Sequence, residues 1–310
     1  MRREKREESA LKLVINTVIG NPPYNGGLDI AFTYKSLDIV SDFIAVIIPA
    51  KWQSAEGIQR INNSDLTYGQ FRDKTRHKIK EVVFYPCCHD IFDISQIDGI
   101  TYILIDKQNI HETSKVINKS TGFKEFNSIE TRDISNGQPL LNIGNSIINS
   151  IKQNRADYKP FVFPVITHTK HYEIWMNTKL SGYDMLITDK PRYILGISRL
   201  IDRQAGQIYS GEAKCVFESD DLDECKSFAS WIYSKFTRFF ILCNISKLNN
   251  ILTDFYFRYV PAPPSGKFDH IYTDEELYSA FGLKQEQIEA INSLVRERPW
   301  DSGKSRSITY

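Results

Sequence analysis

At 310 residues the chain is long enough for two domains with real cores, and its 41% hydrophobic and 25% charged residues are ordinary globular proportions. A formal net charge of +1 gives whole-chain electrostatics no part in recognising nucleic acid, so any such footprint must be local. Five irregularly spaced cysteines do not make a disulfide framework, no apolar run reaches the ~18 residues of a membrane span, and the charged start lacks a small-residue cleavage site; a soluble, cytoplasmic protein is expected. Leu13 to Gly20 is a compact β-branched run ending in glycine and reads as a buried strand. Asp29 to Ser41 places Ile30, Phe32, Leu37 and Val40 at helical spacing. Phe43 to Ile48 is a second buried strand, stopped by Pro49; Ile79 to Tyr85 is a third and Thr101 to Ile105 a fourth. This alternation is the grammar of a doubly wound α/β sheet.

From Ile110 to about Lys159 the chain turns polar, with one short predicted helix over Ile143 to Ile151. Beyond it come β-like runs (Phe161 to Thr167, Arg192 to Ile197, Lys214 to Glu218) and an aromatic-rich helical stretch from Leu222 to Leu242. Pro261-Ala-Pro-Pro-Ser-Gly is a turn-rich connector. Thr273 and Glu276 form a capping box, and two short helices follow, separated at Gly282 and stopped by Pro299. The expected organisation is a partial doubly wound sheet over 1–125, a linker over 126–158, an α+β domain over 159–300 and a tail over 301–310.

The most informative residues are Asn21-Pro22-Pro23-Tyr24, directly after the first strand. Ligands of doubly wound sheets bind at the carboxyl ends of strands, so the position supports the motif as much as the letters do. The tetrapeptide resembles the signature of the amino-methyltransferases. Gly26 to Trp52, including Ile47-Ile48-Pro49-Ala50-Lys51-Trp52, resembles the helix and strand that follow this loop in the family, and Val82 to Lys107 resembles its later hairpin. Tyr272-Thr-Asp-Glu-Glu-Leu-Tyr-Ser-Ala-Phe-Gly-Leu resembles the C-terminal ending of restriction–modification adenine methyltransferases. The resemblance covers most of the chain and is strongest over 13–52 and 255–298.

The resemblance implies a Rossmann-like methyltransferase sheet followed by a target-recognition domain that binds double-stranded DNA. It also implies methyl transfer from S-adenosylmethionine to adenine N6. That nitrogen is a poor nucleophile because its lone pair is delocalised into the ring. The Asn21 side-chain oxygen and the Pro22 carbonyl can accept its two hydrogens and localise the pair, an electrostatic form of catalysis. The prolines fix φ and remove competing N–H donors. Tyr24 offers a ring on which an extruded base can stack, for roughly 1–3 kcal/mol, offsetting part of the flipping cost. Phe92 is a candidate second stacking ring, with a core role as the alternative.

The family's donor site is a Gly-rich loop after the first strand of its sheet. Only 20 residues precede Asn21, fewer than the ~30 of one βαβ unit. Residues 243–310, Gly26-Gly27 and Gly206 to Gly211 do not supply such a loop. Asn21 is therefore expected to touch only the shared edge of a donor site and this chain alone to bind S-adenosylmethionine weakly or not at all; either a second chain supplies the missing half or the chain is a remnant without activity. Half of such a sheet would leave an apolar edge strand and an uncovered face.

Residues 151–214 carry ten Lys and Arg against six Asp and Glu, interleaved with Tyr172, Trp175 and Tyr193. Such a surface suits phosphate contacts and base reading, with Arg192, Arg199 and Arg203 as candidates. Residues 51–80 are also locally basic. Cys87-Cys88-His89 and His168-x-x-His171 are discounted as metal sites, the first because adjacent cysteines cannot easily share one zinc, the second because strand spacing would set the histidines on opposite faces. Two other readings remain: a protein-glutamine methyltransferase, disfavoured by the roughly 200 residues after Lys107, and a DNA-binding specificity module without chemistry of its own.

Overall fold

The computed structural model describes residues 15–61, 64–86, 88–93, 99–121, 127–135, 137–176, 199–209, 215–244, 252–295 and 297. The first sheet contains β1 (Ile15–Gly20), β2 (Val40–Pro49), β3 (Ile79–Tyr85), β4 (Ile100–Asp106), β5 (Ser114–Asn118) and β6 (Ser128–Arg132), in the order β1-β2-β4-β3-β5-β6. Helix α1 (Leu28–Ile39) carries the crossover between the parallel neighbours β1 and β2. The sheet is mixed. β4 inserts antiparallel between β2 and β3, β5 continues parallel to β3, and β6 closes antiparallel.

Central position explains composition here. β2 and β4 have neighbours on both sides and are apolar nearly throughout. β5 and β6 are short and half polar, which hid them inside a segment whose sequence reads as a loop and linker. Described residues of this stretch are built in: β6 pairs with β5, and α4 (Asn142–Asn154) buries Ile147, Ile148 and Ile151.

On the other side of the sheet, β1 has only β2 beside it among the described residues, and Ile19 is 81% exposed. Leu28, Phe32 and Ile39 of the adjoining helix are also exposed. The expectation that β1 would be buried is thus corrected, whereas an apolar edge is what the resemblance led one to expect.

Short helices α2 (Lys51–Ser54) and α3 (Tyr68–Thr75) pack Trp52 edge-to-face on Phe71 beneath this sheet. The Thr67 hydroxyl accepts from the Gln70 N–H while the Gln70 side chain accepts from the Thr67 N–H, so the start of α3 is fixed by a reciprocal cap.

The second core surrounds a three-stranded antiparallel sheet, β8-β7-β9, made of β7 (Tyr172–Met176), β8 (Arg199–Asp202) and β9 (Cys215–Ser219). The stretch Leu222 to Leu242 is two helices, α5 (Leu222–Tyr233) and α6 (Lys235–Asn244). The break is at Ser234, whose backbone is extended and whose hydroxyl accepts from the Thr237 N–H, capping α6. Phe161 to Thr167 forms no strand; the nearest pairing is one bridge between Pro160 and Pro261. Pro160 and Pro164 lack the N–H a ladder needs. Phe161 instead packs on Trp231, and Phe163 on Phe257. The expected strand over Arg192 to Ile197 lies outside the described residues. After the Thr273 cap, α7 (Asp274–Ala280) and α8 (Gln285–Leu294) close the core, with Gly282 at φ 64° between them.

Candidate functional site

The tetrapeptide sits at the carboxyl end of β1. Gly20 pairs with Val46, so the loop emerges beside the carboxyl half of β2. Asn21 and Pro23 are exposed, Tyr24 is half-buried and Pro22 is buried. The chain then makes a 3-10 turn over Asn25–Gly27, with both glycines at positive φ (64° and 82°), and enters α1. Gly27 has no substitute: a Cβ there would lie 2.6 Å from Ile61 Cγ2, in a backbone conformation that side chains disfavour.

Within the loop the Tyr24 hydroxyl donates to Asn21 Oδ1 at 2.5 Å. The Asn21 amide is therefore oriented, with its oxygen engaged on one lone pair and open on the other. Burial, with Asp29, Tyr102 and Cys88 nearby, pushes the Tyr24 phenol up to about 12, so it remains a donor at neutral pH. Asp29, 4% exposed in the first turn of α1, is pushed up to about 6 by burial, against hydrogen bonds from the Asp29 and Ile30 N–H groups and the pull of Lys51. Tyr68 is also raised to about 12 by burial and by Asp29, and Lys51 Nζ lies 5.2 Å from its ring centroid. Tyr85 and Tyr102 add a tilted ring pair at 5.9 Å.

Asp29, Tyr68 and Tyr102 thus belong to the same electrostatic neighbourhood as the motif, and none was singled out from sequence. Asp29 carried a usable signal: an acid in the first turn of a helix directly after the loop. Tyr68 and Tyr102 gave none, because their approach to Asp29 and Tyr24 depends on chain folding from far along the sequence. Phe92 is half-buried in the turn after Cys88–Asp90, its N–H donating to the Cys88 carbonyl at 2.8 Å.

The turn that opens α1 does not fit a methyl-donor loop. Gly26-Gly27 opens a helix, but Gly27 is packed against Ile61, and the helix N-terminal N–H groups already face the Asp29 carboxylate.

In the candidate recognition region, Arg192 lies outside the described residues, and Arg199 opens β8 with its side chain not described. Arg203, in the turn after β8, is 2.9 Å from Glu173 Oε1. Glu173 is buried and also receives the Trp175 indole N–H at 2.8 Å and faces His168 Nδ1 at 3.1 Å. Trp175 stacks between Tyr209 and His168.

His168 and His171 precede β7 rather than lying within a strand, and His168 takes a positive φ of 54°. They face different acids, Glu173 and Asp202, each at 3.1 Å. His168, Glu173 and Glu218 place possible ligand atoms within 4.8 Å of one another. Protein donors already serve both carboxylates: Arg203 on Glu173, and Thr167 with the His168 N–H on Glu218. Cys88 is buried and forms no disulfide among the described residues. The basic run 51–80 serves structure in part, since Arg72 Nη1 donates to the Trp52 carbonyl and Lys74 pairs with Asp38 at 2.6 Å. No helix among the described residues is long and apolar enough to cross a membrane.

No protein-family model matches the chain, and no curated protein does. Among solved structures, the "modification subunit of a putative type I restriction enzyme" from Vibrio vulnificus YJ016 is similar at 10% identity and a TM-score of 0.27, over 34% of this chain and 25% of that one. The matched stretch spans a quarter of that protein, and likeness this partial carries neither a fold nor an activity across.

Proposed function

We propose that the chain is the catalytic-loop and DNA-recognition portion of a site-specific N6-adenine DNA methyltransferase of a restriction–modification system. One observation carries the reading: Asn21-Pro22-Pro23-Tyr24 closes β1 at its carboxyl end, with Asn21 exposed and its amide oriented by Tyr24. Asn21 Oδ1 and the Pro22 carbonyl accept hydrogens from the amine of an extruded adenine. This localises the nitrogen lone pair without prior removal of a proton from the amine; once the nitrogen has taken the methyl group, its surplus proton passes to solvent. Tyr24 stacks on the base, and Phe92 is the proposed second ring. Arg203, held by buried Glu173, contacts DNA together with Arg192 and Arg199. S-adenosylmethionine supplies the methyl group; the turn opening α1 does not fit its Gly-rich loop, so a separate segment or a partner polypeptide holds the donor. The apolar edge at Ile19 is the surface such a partner would cover.

The test is transfer of labelled methyl from S-adenosylmethionine to duplex DNA, with and without a partner carrying an apolar strand and Gly-rich loop. The expected result is activity only with the partner, and a loss of at least about 100-fold in Asn21→Ala. Methylation by the mutant equal to that of the parent removes the assigned role of Asn21. A DNA-binding module without chemistry is the second reading. It is favoured by the Tyr24 hydroxyl already occupying one side of the Asn21 oxygen, and it predicts site-specific DNA binding without methylation under any pairing.

A further inference from the structure

Side chains alternate along the strands of the first sheet, and only one of its two faces is packed. Ile44, Val46, Ile48, Val82, Ile103 and Val116 point to one side and are buried in a cluster with Ile30 of α1 and Trp52 of α2. The residues between them point to the other side. Register sets Ile47 beside Tyr102, Tyr102 beside Val83, Val83 beside Ile117 and Ile117 beside Ile129. This is one apolar row across β2, β4, β3, β5 and β6. None of the five belongs to either hydrophobic core, and Ile129 is 65% exposed.

The neighbouring row runs Ala45, Leu104, Glu81, Lys115 and Thr131. Its two charges pair with each other at 3.0 Å, so the two rows carry no charge excess. Nucleic acid is a poor match, because phosphate contacts need a net positive patch. What suits these rows is another flat, neutral, apolar surface. With strands ~4.8 Å apart and same-face side chains ~6.8 Å apart along a strand, five strands and two rows with their margins make about 24 Å by about 20 Å, or about 500 Å² of flat area. Two such faces remove about 1,000 Å² from water, the size at which specific pairing begins. Left open, a face of this kind invites aggregation unless its cover is present wherever the chain is. A second copy meets that condition by itself.

We propose that two copies of the chain meet on this face, sheet against sheet, about a twofold axis near Val83 and Leu104. Stacked sheets lie ~10 Å apart with their strands crossing at roughly −30°, so the apolar row of one copy settles against the rows of the other. A twofold contact uses the same patch on both sides, which an internally paired charge permits without repulsion. The patch runs from β2 to β6 and leaves the β1 edge outside it. Pairing of this kind requires neither DNA nor a methyl donor.

Sedimentation velocity of the full chain from about 1 to about 100 µM should show a shift from one copy to two. Val83→Lys sets a charge at the middle of the row and should raise the dissociation constant at least about 100-fold. Val83→Glu should do the same, and an equimolar mixture of the two variants should pair again, because the axis brings position 83 close to its own copy. Ile129→Lys, at the rim, should raise the constant about tenfold. Ile39→Lys, at the exposed end of α1, should leave it unchanged. Thermal melting compares each variant with the parent; if the Val83 variants fail to fold, Ile129→Lys decides, because that side chain already faces water. Four results overturn the proposal: a parent that stays a single copy at about 100 µM, a pair indifferent to Val83→Lys and Ile129→Lys, an equal loss in Ile39→Lys, or a mixture that stays monomeric. Cover by a helical layer of another polypeptide would give the first of these.

Discussion

Asn142 should be among the costliest single positions in the chain. Its side chain is buried at the start of α4, where it donates to the Val116 carbonyl at 3.0 Å and the Ser128 hydroxyl at 3.2 Å. Its oxygen receives two N–H groups of Arg132, each at 3.3 Å, and its backbone N–H donates to Asn118 Oδ1 at 2.6 Å. Arg132 is itself 9% exposed, and burial lowers its guanidinium to about 10. Asn142→Leu keeps the branching of the side chain and removes all four side-chain bonds. Two neutral bonds lost at about 1 kcal/mol each, plus a guanidinium deprived of an acceptor at about 1–3 kcal/mol, predict a loss of about 3–5 kcal/mol. The assay is urea unfolding followed by circular dichroism, with Arg132→Met made alone and in combination. Because the guanidinium loses one acceptor while keeping the Pro139 carbonyl and Glu130, the double variant should be less destabilised than the two single losses added, by at least about 1 kcal/mol. A loss below about 1 kcal/mol in Asn142→Leu, or strict additivity, would refute the view that this network welds β5 and β6 to α4.

Three further outcomes follow from the loop and its surroundings. Asp29 has a folded-state pKa near 6 against an ordinary value of 3.8, so ionising it opposes folding: the penalty is absent below about pH 4 and complete above about pH 6, at about 3 kcal/mol. Asn at position 29 should therefore be more stable than the parent at pH 7.5 and no more stable at pH 4, as read by urea midpoints at the two pH values. Gly27→Ala should cost about 1–3 kcal/mol through its positive φ and the contact with Ile61, and adding Ile61→Ala should recover none of the φ component. Tyr24→Phe keeps the ring and releases Asn21 Oδ1, so affinity for duplex DNA with a mismatched target adenine should rise about two- to tenfold in fluorescence anisotropy; an unchanged value means the Tyr24–Asn21 bond is not broken on base insertion.

Much of the first sheet was legible because its central strands are long, β-branched and buried. Ile79–Tyr85 was read to the residue, and β2 and β4 within a few. The loop was legible because its letters and its place at a strand end agree. What escaped depends on pairing over distance. β5 and β6 are five residues each; Ser114 and Asn118 are buried in bonds to the distant Ile79 and Leu140, and Arg132 in bonds to Pro139 and Asn142 beyond the strand. A buried asparagine looks in sequence like a loop asparagine, which is why 126–158 resembled a linker. Phe161 to Thr167 failed the other way, since alternating Phe and Val look like a strand whether or not prolines permit the ladder. That β1 is the strand on the apolar edge depends on the sheet order.

Phe84 packs against both hydrophobic clusters at once. A ring shared between two cores ties their fates: neither half can loosen without withdrawing support from the other. Heating should give a single heat-capacity peak rather than two, even though the chain has two separate sheets. It follows that cutting the polypeptide between β5 and α4, where a map of domains drawn from composition would place the scissors, should yield two insoluble pieces instead of two working ones.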